Sequence, residues 1–231
     1  IATSADATPI DYLVRKPTGD GPFPVVVYVH GAPGGNGREG LKHWADPARW
    51  TPFLEAGFAV CISDYRGHEP NRPFQVLRGE VNATDDVSAV IAALASDPTL
   101  APDRVAIIGN SLGGVTTLQG TAEGKINARC LVLNAPASFQ FVGLRGRPAP
   151  GVPLSDDDID RKAALRRIEP INVPVLFILG TADGLTPINL KLVDLMQAAD
   201  KDVRLELFPD QGHAFTNGPD SPAFHRAVSQ S

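Results

Sequence analysis

The chain has 231 residues, with 22 Gly, 21 Pro, 26 acidic against 21 basic side chains, 43% apolar and 20% charged residues; this is the composition of an ordinary folded domain and excludes a disordered or fibrous repeat chain. A chain of this size buries roughly 70–75% of its unfolded surface, so apolar packing suffices without disulfides or a structural metal. The formal charge of −5 argues against nucleic acid and an anionic membrane surface as partners and leaves small neutral substrates open.

In chain order, the apolar runs 25–29, 105–108, 131–133 and 175–179 lack period-two alternation, as expected of parallel strands covered on both faces. Cys61 and Cys130, the two cysteines, each lie inside an apolar run and read as core. Helical patterns fall between the strands. Asn82 stands as an N-cap with Asp85 three residues on, followed by Val87, Val90, Ile91 and Leu94 on one face. A helix at 115–122 follows the strand at 105–108. The segment 135–172 breaks the rhythm with Gly143, Gly146, Pro148, Pro150, Gly151 and Pro153. There Ser155 is expected to cap a short helix, with Asp156, Asp157 and Asp158 in its first turn and Arg166 and Arg167 in its last. Pro187 opens a helix carrying Ile188, Leu192, Leu195, Met196 and Ala199 on one stripe. A strand at 203–208 and a last helix at 223–229 close the pattern. One domain over 1–231 with a short insertion at about 137–172 follows, and no internal repeat is present. No apolar run reaches the roughly 18 residues of a membrane helix. The chain begins at Ile1 with Met196 as its sole methionine, so it reads as a processed or trimmed chain; an exported and a cytoplasmic location both stay open.

Between the strand at 105–108 and the helix after it stands Gly109-Asn110-Ser111-Leu112-Gly113-Gly114. A Gly-x-Ser-x-Gly in that setting makes a sharp turn that holds the serine above the sheet, so Ser111 is the candidate nucleophile. A serine hydroxyl needs a base within hydrogen-bond reach. Of five histidines, His213 suits best: it lies downstream of the serine in the Gly-flanked loop after the last strand. His43, His68 and His225 lie in polar stretches and are expected at a solvated surface. The base in turn needs a carboxylate, which Asp183 supplies between a buried strand and a helix; Asp210 is its rival. Leu112 offers one backbone N–H to an oxyanion. The turn Tyr28-Val29-His30-Gly31-Ala32-Pro33-Gly34-Gly35 offers the second, with Ala32 the better donor, Gly34 the weaker, and Pro33 excluded for want of an N–H. His30 reads as an imidazole bracing this loop.

These pieces in this order resemble the α/β-hydrolase superfamily, from about Ile10 to the last helix. Val27-Tyr28-Val29-His30-Gly31-Ala32-Pro33, Asp64-Tyr65-Arg66-Gly67 and the stretch from Asp103 to Ser111 look like dienelactone hydrolases and the catalytic domain of prolyl-oligopeptidase-type peptidases. Dienelactone hydrolases proper carry cysteine where Ser111 stands, and the oligopeptidases carry a propeller for which there is no sequence here. What remains is similar to small serine carboxylesterases of that branch. The resemblance implies a three-layer α/β-hydrolase fold: a mostly parallel central sheet, helices on both faces and a minimal cap. It also implies a Ser-His-Asp triad that cleaves carboxylic esters through an acyl-enzyme. Its strand order sets Cys61 and Cys130 about 14 Å apart, beyond the roughly 7 Å a disulfide spans.

No metal or organic cofactor is expected, since the histidines show no ligand spacing. The expected partner is a small-molecule ester, and the oligomeric state stays open. Tyr65, Arg66, Phe139, Phe141 and Leu144 are placed by their loops to line a substrate pocket. The short insertion predicts an open site that favours short acyl chains. An aminopeptidase or amidase with the same triad is the alternative, and a non-catalytic binding protein on the same fold a further one.

Overall fold

The computed structural model describes residues 1–32, 37–68, 75–146, 153–213 and 215. Its strands are β1 (Ala2–Thr3), β2 (Pro9–Ile10), β3 (Tyr12–Arg15), β4 (Phe23–Val29), β5 (Ala59–Ser63), β6 (Leu100–Asn110), β7 (Cys130–Asn134), β8 (Val175–Gly180) and β9 (Val203–Phe208). The helices are α1 (Gly37–Trp44), α2 (Pro47–Glu55), α3 (Ala83–Leu94), α4 (Leu112–Ala122), α5 (Arg161–Ile168) and α6 (Thr186–Ala198). The expected helix at 223–229 lies outside the described residues, as do Gly34, Pro148, Pro150, Gly151 and His225.

Seven strands form one open sheet in the order β3-β5-β4-β6-β7-β8-β9. Only the edge pair β3–β5 is antiparallel; the other pairs are parallel. Alternate residues of each inner strand enter different cores. Val25, Val27, Val29, Ile107, Leu131, Leu133 and Phe177 pack with Val87, Leu118 and Leu192 from α3, α4 and α6. Val26, Tyr28, Val60, Ile62, Ile108, Val132 and Ile178 pack with Leu41, Trp44, Trp50 and Phe53 from α1 and α2. This two-sided burial explains why the strands read as continuous apolar runs, because no residue needs to face water. Each large side chain so buried contributes roughly 1.5–3 kcal/mol relative to exposure.

Three expectations shift. The insertion helix begins at Arg161, and Asp160 caps it by accepting the Ala163 N–H at 2.9 Å. Ser155 instead closes a separate turn, its N–H and hydroxyl both donating to Asp158, so the three aspartates precede the helix and do not fill its first turn. Cys130, at the start of β7, is half-buried, whereas Cys61 is fully buried. The structure also adds β3, α1 and α2, which carry no long apolar stripe.

Both cysteines are free, with β4 and β6 lying between their strands. Burial pushes the Cys61 thiol up to about 12. Iodoacetamide at pH 8 is therefore expected to leave Cys61 unmodified in the folded protein, with both thiols labelled in denaturant. Equal labelling of Cys61 in the two states, read by peptide mass spectrometry, contradicts the burial.

Candidate active site

The parallel strands end at one edge of the sheet, where β4 and β6 lie side by side with Val29 opposite Gly109. The chain leaves β4 toward β5 on one side and later returns as β6 on the other. The crevice at such a switch point is where open α/β sheets place their ligands. Directly after β6, Ser111 has φ 52° and ψ −113° at the N-cap of α4, a strained left-handed conformation held by its surroundings. The Ser111 N–H donates to Asn134 O at 2.9 Å, and its carbonyl accepts from Ala137 N–H at 2.9 Å and Val115 N–H at 3.2 Å.

Close packing fixes the turn after β4 against this elbow. A Cβ on Gly113 would lie 2.2 Å from Val29 O and 2.3 Å from His30 O, so only glycine lets α4 approach the end of β4. Gly31 in turn abuts the Asn110 side chain and Ser111 Cβ. Leu112 is the first residue of α4 and Ala32 follows Gly31. Leu112 thus adjoins the serine in the chain, and Ala32 is one residue beyond the Gly31 that abuts it.

Asp183 follows β8 and is 5% exposed; its Oδ1 accepts the Leu185 N–H at 2.8 Å. Its Oδ2 lies 2.8 Å from His213 Nδ1, and His213 Nε2 lies 3.0 Å from Ser111 Oγ. The carboxylate places the ring proton on Nδ1, so Nε2 is left to accept the serine O–H. The loop bearing His213 is seated on the end of β8. Ala182 N–H donates to Gln211 O at 2.9 Å, Asp210 N–H to Thr181 Oγ1 at 2.8 Å, and a Cβ on Gly180 would lie 2.2 Å from Gln211 O. Asp210 thus contributes a loop hydrogen bond, and the carboxylate that reaches His213 is Asp183.

The residues expected to line a pocket sit differently. Tyr65 is buried, and its hydroxyl donates to His30 O at 2.7 Å. Arg66 grips the fully buried Asp86 through its backbone N–H, Nε and Nη2, at 3.0, 2.9 and 2.6 Å. Its Nη1 reaches Asp6 at 2.6 Å, and Ser4 Oγ donates to Asp86 as well. Arg66 therefore straps the N-terminal strands to α3. Phe141 is buried in the core, while Phe139 and Leu144 pack against it from partly exposed positions; Leu144 also bridges Ile159. His43 is exposed, as its polar surroundings imply. His68 is not: it is 1% exposed and donates to Asp64 Oδ1 at 2.8 Å, because the rings of His30 and Tyr65 pack around it. Two further polar groups beneath the elbow escaped the sequence reading. Asn134 Nδ2 donates to Asn110 Oδ1 at 2.6 Å, and an asparagine ending each of two neighbouring buried strands is the signal that marks them.

Truncating Arg66 leaves the buried Asp86 carboxylate with the Ser4 hydroxyl and the backbone N–H of residue 66 but without the guanidinium charge, at an expected cost of about 3–5 kcal/mol. Arg66→Ala should accordingly lower stability by that order in urea unfolding with little change in KM. A raised KM at unchanged stability would instead return Arg66 to the substrate.

The comparisons with known proteins agree with this architecture. The family model of the dienelactone hydrolase family matches residues 10–230. The chain is 28% identical over 235 residues to dipeptidyl aminopeptidase BIII of Pseudoxanthomonas mexicana, covering 89% of this chain and 32% of that protein. It is 25% identical over 257 residues to a monoacylglycerol lipase of Mycolicibacterium smegmatis, covering 91% and 88%. Carboxyl esterase 2 of Tuber melanosporum superposes with a TM-score of 0.73 at 16% identity, over 99% of this chain and 82% of its own. The chain thus spans about a third of the aminopeptidase, and the structural likeness establishes the fold. No helix among the described residues is long and apolar enough to cross a membrane. With an open α/β-hydrolase sheet and a family match over nearly its whole length, the chain belongs to the dienelactone hydrolase family and is a hydrolase.

Proposed function

We propose that the chain is a serine hydrolase that cleaves small carboxylic esters through an acyl-enzyme, with Ser111 as nucleophile, His213 as base and Asp183 as the group that orients it. The observation that carries the reading is the continuous relay of Asp183 to His213 at 2.8 Å and His213 to Ser111 at 3.0 Å. His213 Nε2 takes the hydroxyl proton as Oγ attacks the ester carbonyl, and Asp183 stabilises the imidazolium that forms. Backbone N–H groups of Leu112 and Ala32 receive the developing oxyanion, each worth roughly 3–4 kcal/mol in comparable enzymes. Collapse of the tetrahedral intermediate expels the alcohol, which takes the proton from His213. A water molecule then repeats the attack on the acyl-enzyme, returning the acid and free Ser111. No cofactor takes part in these steps.

The strained backbone at Ser111 supports the role of nucleophile, because it holds the hydroxyl out of the helix that follows. His213 has a side chain 42% exposed, so its Nε2 edge is open to an arriving ester and to the water of the second step. The likeness to the aminopeptidase favours a second reading, in which the same groups cleave a peptide or amide. That activity requires an anchor for the substrate amine, and the chain covers only 32% of that relative.

A fluorophosphonate should label Ser111, read by mass spectrometry of the modified peptide. Ser111→Ala should lower ester turnover by about 10⁴-fold or more; retained turnover removes the nucleophile. A C4 nitrophenyl ester should react faster than the C16 ester. Amino-acid nitroanilides cleaved faster than either would move the reading to the peptidase.

A further inference from the structure

His30, Asp64 and His68 form a second cluster of titratable groups that the relay does not use. The register brings them together: β4 and β5 are paired with Val29 opposite Ser63, so His30 and Asp64, each the next residue, leave adjacent strand ends. One donor atom from each of the three residues falls within 4.8 Å of the others. Both imidazoles are enclosed, at 0% and 1% exposure, and the Asp64 side chain is 13% exposed.

The hydrogen bonding leaves an electrostatic conflict. His30 Nδ1 donates to Gly31 O at 2.8 Å, so the neutral ring presents a lone pair at Nε2, which has no hydrogen-bond partner. That lone pair faces Asp64 Oδ1 at 3.6 Å, too far for a hydrogen bond and repulsive unless a positive charge lies between. His68 Nδ1 is likewise buried without a partner. Donors about 2.0–2.1 Å from a tetrahedral zinc lie about 3.4 Å from one another, close to the 3.6 Å between His30 and Asp64.

We propose that His30, Asp64 and His68 bind one divalent ion of the zinc class, which joins the turn after β4 to the turn after β5. Two imidazoles and a carboxylate select zinc, cobalt or nickel over magnesium and calcium. The supporting contacts are those that orient metal ligands: Gly31 O fixes the His30 tautomer, Tyr65 N–H donates to Asp64 Oδ1 at 2.9 Å, and the Tyr65 hydroxyl holds His30 O. A modest rotation of the His68 ring, which now hydrogen-bonds Asp64 at 2.8 Å, completes the ligand set, with water in the fourth position.

The test is equilibrium dialysis of the untagged, chelator-stripped chain against zinc, with bound metal read by mass spectrometry. One zinc per chain is expected, magnesium should not compete, and His68→Ala should bind at least about tenfold more weakly. His43→Ala and His213→Ala should bind as the parent does. Substoichiometric zinc, unchanged binding in His68→Ala, or loss of binding in His213→Ala overturns the assignment; the last would put the ion on the exposed His213 beside Asp183. Should His68→Ala fail to fold, X-ray absorption of the zinc-loaded parent replaces it. Two imidazoles with oxygen ligands support the site, and a shell with sulfur or fewer imidazoles overturns it.

Discussion

Val29 and Gly109 stand opposite one another in the β4–β6 ladder, and the geometry of the candidate site rests on that register. Parallel pairing brings both strands to the same edge, so the turn after β4 and the elbow after β6 emerge as neighbours. A slip of one residue would turn every side chain of β6 to the other face and exchange the two cores. Because both faces are filled with large apolar groups, such a slip is strongly opposed. The catalytic geometry proposed here thus inherits its precision from a ladder buried on both sides.

A second constraint is how closely backbone packs on backbone at that edge. Gly113 and Gly180 sit at two places where a side chain would collide with a neighbouring carbonyl. The first seats α4 against the end of β4, and the second seats the His213 loop on β8. Strain at Ser111 is tolerated because this packing and its three backbone hydrogen bonds over-determine the turn. The hydroxyl therefore meets an imidazole whose own position is set by a buried carboxylate.

The polar groups around the site divide by what holds them. Asp183 faces a half-exposed imidazole that can approach a substrate. Asp86 is buried and fully occupied by Arg66 and Ser4, which ties the N-terminal strands to α3. Asp64 sits between two buried imidazoles at the foot of the β4 turn, and the orphaned nitrogens there motivate the metal assignment. Similar residue types are thus proposed to take a reactive, a structural and an ion-binding part, according to which neighbours the fold brings to each.

Much of this was legible in the amino-acid order, because the informative signals are local. The uninterrupted apolar runs marked β4, β6, β7 and β8, the stripes marked α3 and α6, and Gly109 to Gly114 marked the elbow with its serine. Ser111, Asp183 and His213 could be chosen from motif and chain order, and they come together at hydrogen-bonding distance. α1 and α2 escaped because they are short, and α2 carries Pro52 in its interior. The start of α5 was misjudged because Ser155 and Asp158 satisfy each other in a turn of their own. Tyr65, Arg66 and His68 could not be assigned from their polar setting, since their partners Asp86 and His30 lie 20 to 38 positions away in the chain. Sequence determines what each segment can do alone, through its periodicity and turn chemistry. Which polar groups become buried together depends on the strand order, and only the folded chain decides that.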